Sequence, residues 1–132
     1  MSAPKTKILL VEDEPPLLQL IEKYLQRMGY DVESHLKPVE ALRKFEAAPS
    51  RYSLVIADLG MPEMPGDTLL TRMLEKRPDL RILVCSGSPF FIENLPRSLH
   101  EQVAFLQKPF MPKMLGEAVR KLLEEPTTPP RR

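Results

Sequence analysis

The chain is poor in the features that would tie it to an oxidising compartment, a membrane or a polyanion. It has one cysteine, Cys85, which has no partner for an internal disulfide. Its formal net charge is +1, so no bulk field draws it to nucleic acid or to an anionic membrane. The longest apolar runs are strand-sized, too short to cross a bilayer. After Met1-Ser2-Ala3-Pro4-Lys5-Thr6-Lys7 the apolar run is also too short for a secretory leader. These absences predict a cytoplasmic protein without membrane contact. What remains is ordinary globular composition. The 132 residues, 42% hydrophobic and 28% charged, suit one domain with a proper core. The 15 prolines fall almost entirely where an element starts or stops.

Taken in order, Lys7-Ile8-Leu9-Leu10-Val11 is an apolar run that fits a strand buried on both faces. Glu12-Asp13-Glu14 and Pro15-Pro16 follow, and acids and proline both favour a helix start. That helix carries Leu17, Leu18, Ile21, Leu25 and Met28 on one stripe and stops at Gly29. Asp31 to Leu36 alternates, with Val32, Ser34 and Leu36 opposite Glu33 and His35, which predicts a more polar strand at a sheet edge. Pro38 opens a second helix with Val39, Leu42 and Phe45 on its apolar face, ended by Pro49-Ser50. Ser53 to Ala57 is a third strand, and Gly60-Met61-Pro62-Glu63-Met64-Pro65-Gly66 is a loop by its breakers. A third helix carries Leu69, Leu70, Met73 and Leu74 up to Pro78. Arg81 to Cys85 is a fourth strand, followed by Ser86-Gly87-Ser88-Pro89. Phe90 to Leu95 reads as a short helix cut off by Pro96. Ala104-Phe105-Leu106 is a short fifth strand, and Pro112 opens a last helix with Leu115, Ala118, Val119, Leu122 and Leu123. Residues 1–125 form one domain in this reading, and the Pro-rich residues 126–132 a disordered tail or linker end. Strict alternation of strand and helix predicts an α/β fold: a doubly wound parallel sheet, helices on both faces, right-handed crossovers.

In such a sheet all the carboxyl ends share one edge, where open α/β sheets place their ligands. Asp58 sits where the third apolar run stops. On its own it could simply cap a turn. But the first strand delivers Glu12 and Asp13 to the same edge, the fourth Ser86 and the fifth Lys108. Several polar groups ending together favour one convergent site over separate caps. Carboxylates brought that close repel unless a cation sits between them, and oxygen ligands in an incomplete cage suit Mg²⁺. A divalent metal, an ammonium and a hydroxyl are the parts that hold a transferring phosphoryl group. His35 and His100 fall away from these strand ends, so no serine–histidine pair competes. A carboxylate can itself attack phosphorus, and the central Asp58 is the candidate.

Four segments together resemble a two-component response-regulator receiver domain of the CheY-like kind. They are Ile8-Leu9-Leu10-Val11-Glu12-Asp13-Glu14, Leu54-Val55-Ile56-Ala57-Asp58-Leu59-Gly60-Met61-Pro62, Ser86-Gly87 and Phe105-Leu106-Gln107-Lys108-Pro109-Phe110. The resemblance implies a flavodoxin-like five-stranded sheet of order 2-1-3-4-5. It implies that Asp58 accepts a phosphoryl group from a sensor histidine kinase or a histidine phosphotransfer protein. Glu12, Asp13, Asp58 and the carbonyl of Gly60 would bind Mg²⁺. Lys108 would pair with Asp58 and then with the phosphoryl group, Ser86 would be the switch hydroxyl, and Phe105 the aromatic that swings inward. The Lys108-Pro109 bond is expected to be cis. Such a chain catalyses only its own phosphorylation and dephosphorylation. Two departures stand out: Glu101-Gln102 where the family often has Gly-Ala, and Pro96 in the fourth helix. The second bears on the face that often dimerises, so a monomer is expected, either stand-alone or detached from a hybrid kinase, with no DNA-binding domain. Phe90 and Phe91 cannot both point inward, which marks a partner face.

Three other functions compete. A flavodoxin-like cofactor binder would need a Ser/Thr/Gly-rich loop after the first strand, where Glu12-Asp13-Glu14 would repel phosphate. A phosphohydrolase would carry a second acid two residues after Asp58, where Gly60 stands. A docking module that is never phosphorylated is the third, and the complete acid–lysine set argues against it. Cys85 is read as a small buried hydrophobe rather than a redox sensor. Met61 and Met64 are read as loop packing rather than metal ligands, and Arg131-Arg132 as a solvated end.

Overall fold

A computed structural model of the chain describes residues 6–87 and 97–124. The expected helix at 90–95, its Pro96 break, the Phe90–Phe91 face and the tail at 126–132 lie outside the described residues.

Five strands form one parallel sheet of order β2-β1-β3-β4-β5. They are β1 (Lys7–Val11), β2 (Asp31–His35), β3 (Leu54–Ala57), β4 (Ile82–Ser86) and β5 (Val103–Gln107). The described helices are α1 (Pro15–Arg27), α2 (Pro38–Ala47), α3 (Gly66–Lys76) and α4 (Pro112–Glu124). The fold class and strand order expected from the sequence both hold.

The central strands are apolar throughout because each face meets a helix layer. Leu9, Val11, Val55 and Ala57 pack on one side with Leu42 and Phe45 of α2 and Leu69 and Met73 of α3. Ile8, Leu10, Leu54 and Ile56 pack on the other with Leu18, Ile21 and Leu25 of α1 and Leu115, Val119 and Leu122 of α4. Period-two alternation thus feeds two cores from one strand. Among the described residues β2 pairs only with β1, and every residue in it is half-buried or exposed, as its polar alternation predicts for an edge.

Gly29 ends α1 at φ +101°, and the Tyr30 N–H donates back to the Leu25 carbonyl at 3.2 Å. That left-handed residue is what a glycine stop supplies.

Details differ from the sequence expectation: Ser53 precedes β3, and Gly66 opens α3 instead of closing the loop. Val39 is 52% exposed, and it is Ala41 that joins Leu42 and Phe45 in the core. Leu36 falls outside β2 and is exposed. Arg81 precedes β4, which includes Ser86 instead. β5 is longer than its apolar trio, because Val103 and Gln107 pair with Ile82 and Ser86.

Candidate functional site

Sheet register alone brings the predicted residues together. Val11 pairs with Ala57, so Glu12 and Asp58, one residue further along each strand, lie side by side. The ladder continues past the strands: the Glu12 N–H donates to His35 O and the Asp58 N–H to Val11 O, both at 3.1 Å. Ser86 pairs with Gln107, and the Lys108 N–H donates to Ser86 O at 2.8 Å. Lys108 therefore leaves β5 beside the end of β4. Its side chain reaches across to the two central carboxylates.

Lys108 Nζ lies 2.9 Å from Asp58 Oδ2 and 2.9 Å from Glu12 Oε1. The second oxygens are also engaged. Asp58 Oδ1 accepts the Gly60 N–H at 2.9 Å, and Glu12 Oε2 accepts the Glu14 N–H at 3.1 Å. Both acids are almost fully buried, as is Ser86. Burial pushes the Glu12 carboxyl above the usual carboxylate range, although Lys108 and the Glu14 N–H pull it down. Burial alone would lower the Lys108 ammonium. Its hydrogen bonds to Asp58 and Glu12 outweigh that and hold it above the usual lysine range.

Glu12, the half-buried Asp13 and Asp58 each offer a carboxylate oxygen, and these oxygens lie within 4.8 Å of one another. A cluster of hard oxygen donors with room beside it fits a divalent cation that keeps part of its water shell. A pocket of about 480 Å³ opens over the site, lined by Asp58, Gly60, Ser86, Gly87 and Lys108, with Glu14 and an apolar wall of Leu17, Pro109 and Phe110. The Lys108-Pro109 bond is cis, as expected. Phe105 lies on β5, half-buried against the core beneath α2 and α3, and it does not line this pocket.

Sequence reasoning missed two contacts. It did not foresee that Glu12, one methylene longer than aspartate, reaches Lys108 directly. It also missed Glu14, whose Oε2 lies 4.0 Å from Lys108 Nζ. Cys85 is buried on β4 with its thiol pushed up to about 12 by that burial, so it is a core residue. Met61 is buried in the core and Met64 packs against it, as loop packing requires.

Fold and site together define a receiver-type α/β domain, and comparison with known proteins agrees. The family model of the response regulator receiver domain matches residues 8–120. This chain belongs to the response regulator receiver domain family. It is 37% identical over 120 residues to the sensor kinase CckA of Brucella abortus, covering 89% of this chain and 12% of that kinase. It is 31% identical over 117 residues to the receiver protein CpdR of Brucella abortus, covering 89% of this chain and 96% of CpdR. Among solved structures, a CheY-like receiver from Methanospirillum hungatei superposes with a TM-score of 0.80 at 29% identity, covering 92% of this chain and 95% of that one. TrrA of Thermotoga maritima, in complex with Mg²⁺ and BeF, superposes with a TM-score of 0.76 at 31% identity, covering 89% and 99%. Relatives thus include a kinase of which this chain spans a small part and a regulator of nearly its own length. Among the described residues, no helix is long and apolar enough to cross a membrane.

Proposed function

We propose that this receiver is phosphorylated on Asp58 by a histidine-phosphorylated partner, a sensor kinase or a phosphotransfer protein, and that the phosphoryl group switches its binding of a downstream protein. The observation that carries this reading is the placement of Lys108 Nζ 2.9 Å from both Asp58 and Glu12 in a pocket that Ser86 also lines. Glu12, Asp13, Asp58 and the Gly60 carbonyl are the groups that would hold Mg²⁺, whose charge offsets that of the incoming phosphoryl oxygens. The Mg²⁺–BeF complex of TrrA supports that assignment by likeness.

In the transfer, an Asp58 carboxylate oxygen bonds to phosphorus and the phosphorus–nitrogen bond to the donor imidazole breaks. The imidazole leaves with that electron pair and takes up a proton. Lys108 turns from the carboxylate to a phosphoryl oxygen. Phosphorylation adds between one and two negative charges, more than one ammonium offsets. The Ser86 hydroxyl then donates a further hydrogen bond, and Phe105 moves toward the space that Ser86 leaves. Water later hydrolyses the acyl phosphate, so the chain acts only on itself. Such a role belongs to a cytoplasmic monomer that contacts proteins rather than DNA or membrane.

The test is intact mass after incubation with Mg²⁺ and acetyl phosphate. One added phosphoryl group is expected, and Asp58→Asn should abolish it. A full gain in Asp58→Asn would overturn the assignment and favour another acceptor.

A further inference from the structure

Glu14 immediately precedes α1. A serine or aspartate there ordinarily turns its side-chain oxygen back onto an N–H of the first turn, which the longer glutamate does less readily. Here the next two residues are Pro15 and Pro16, which bring no N–H, and the Glu14 side chain makes no capping hydrogen bond. Its backbone is pinned on both sides. The N–H donates to Glu12 Oε2 at 3.1 Å, and the carbonyl accepts from the Leu18 N–H at 2.9 Å. The carboxylate is left at the pocket, 4.0 Å from Lys108 Nζ and 64% exposed. Glu12, Glu14 and Asp58 all face the Lys108 ammonium, and of these three only Glu14 stands at the mouth.

Resting on the phosphoacceptor reading of Asp58, we propose that Glu14 is a specificity-determining residue. It holds off small anionic phosphodonors and admits a protein donor that brings a lysine or arginine to the pocket mouth. A phosphoryl group approaching Asp58 carries about two negative charges and must pass this carboxylate. One unit charge some 6 Å away changes the rate of approach by about three- to tenfold at low ionic strength, and less as salt screens it. A donor with its own cation pairs with Glu14 and escapes that repulsion. The transfer itself is unchanged: an Asp58 oxygen bonds to phosphorus, the bond from phosphorus to the leaving atom breaks, and the leaving group keeps the electron pair.

The experiment compares phosphorylation rates by intact mass at saturating Mg²⁺, with Mg²⁺ affinity titrated separately. The proteins are the unmodified chain, Glu14→Gln, Glu14→Lys and Glu75→Gln, the last an exposed acid on α3 that changes net charge equally. With acetyl phosphate at low salt, Glu14→Gln should be about three- to tenfold faster and Glu14→Lys faster still, the gain fading as salt rises. Glu75→Gln should keep the unmodified rate. With phosphohistidine peptides flanked by lysine or by glutamate, the unmodified chain should prefer the lysine peptide, and Glu14→Lys should reverse the preference. Equal rates for Glu14→Gln and the unmodified chain would overturn the proposal. So would an equal gain in Glu75→Gln, or a gain that disappears at saturating Mg²⁺. Failure of every protein to gain a phosphoryl group would instead overturn the phosphoacceptor reading itself.

Discussion

At the residue scale, the polar groups outside the pocket have a separate task. Glu33 on β2 accepts the Tyr52 hydroxyl at 3.1 Å and faces His35 Nε2 at 2.8 Å, with Lys7 Nζ at 3.9 Å. Glu40 lies on the far side of His35, 3.6 Å from Nδ1. Burial tends to raise the Glu33 carboxyl. The hydrogen bonds from His35 and Tyr52, with the charge on Lys7, outweigh it and hold the group below its ordinary value of 4.5. Tyr52 shifts the other way, up to about 12, through its burial and then its bond to Glu33. A carboxylate lowered in the folded state contributes stability above its unfolded pKa and loses it as pH falls through the folded one. The resistance of the unmodified chain to urea should therefore weaken as pH falls below about 4.5, and Glu33→Gln should flatten that dependence. An equally steep acid loss in Glu33→Gln would assign the effect to other carboxylates. Little of this network was legible in the sequence. Alternation put Glu33 and His35 on one side of β2, but Tyr52 reaches them from the turn before β3, which no local pattern reveals.

At the scale of elements, the loop between β3 and α3 is fixed by a close approach at its far end. A Cβ on Gly66 would lie 2.7 Å from Leu59 Cα, backbone that cannot rotate away. Leu59 adjoins both Asp58 and Gly60, so the start of α3 is packed directly onto the loop that follows Asp58. Gly66→Ala should destabilise the fold by about 1–3 kcal/mol and displace that loop. Thermal unfolding reads the first effect, and a slower phosphoryl gain on Asp58 reads the second. A variant with unchanged melting and unchanged phosphorylation would show that the loop yields freely. Strand and helix identities were largely legible because each central strand is buried on both faces and each helix carries one stripe. The edges were not. Ser86 looked like loop because it is polar, yet it is the last residue of β4, held by its pairing with Gln107. Val39 looked like core because it is apolar, yet the helix turns it outward. Gly116 carried no sequence signal at all. It permits α4 to approach α1, since a Cβ there would lie 2.9 Å from the Tyr24 hydroxyl oxygen.

At the scale of the whole molecule, one side chain ties the carboxyl edge together. Lys108 follows β5, passes the end of β4 at Ser86, and meets Asp58 after β3 and Glu12 after β1. The site residues were legible because each polar residue interrupts an apolar run at the same edge. Which carboxylate oxygen meets the lysine depends on side-chain length and register, so it was not. This arrangement makes the edge a balance of charge. Lys108→Ala would leave Glu12, 2% exposed, beside Asp58, 8% exposed, with no cation between them. Removing one partner of a buried pair costs about 3–5 kcal/mol. That corresponds to a fall in Tm of roughly 10–20 °C for a domain of this size. Asp13→Ala does the opposite, because it removes a repelling carboxylate that, among the described residues, no hydrogen bond ties into the fold. Its Tm in chelator should be unchanged or raised. Mg²⁺ should raise the Tm of Lys108→Ala by more than that of the unmodified chain, since the ion would supply the missing positive charge. Calorimetry of the three proteins with EDTA and with Mg²⁺ measures both effects. A large loss for Asp13→Ala in EDTA would make Asp13 a structural residue. A Lys108→Ala protein as stable as the unmodified chain would mean that solvent already neutralises the two acids and that the charge balance does not hold this edge.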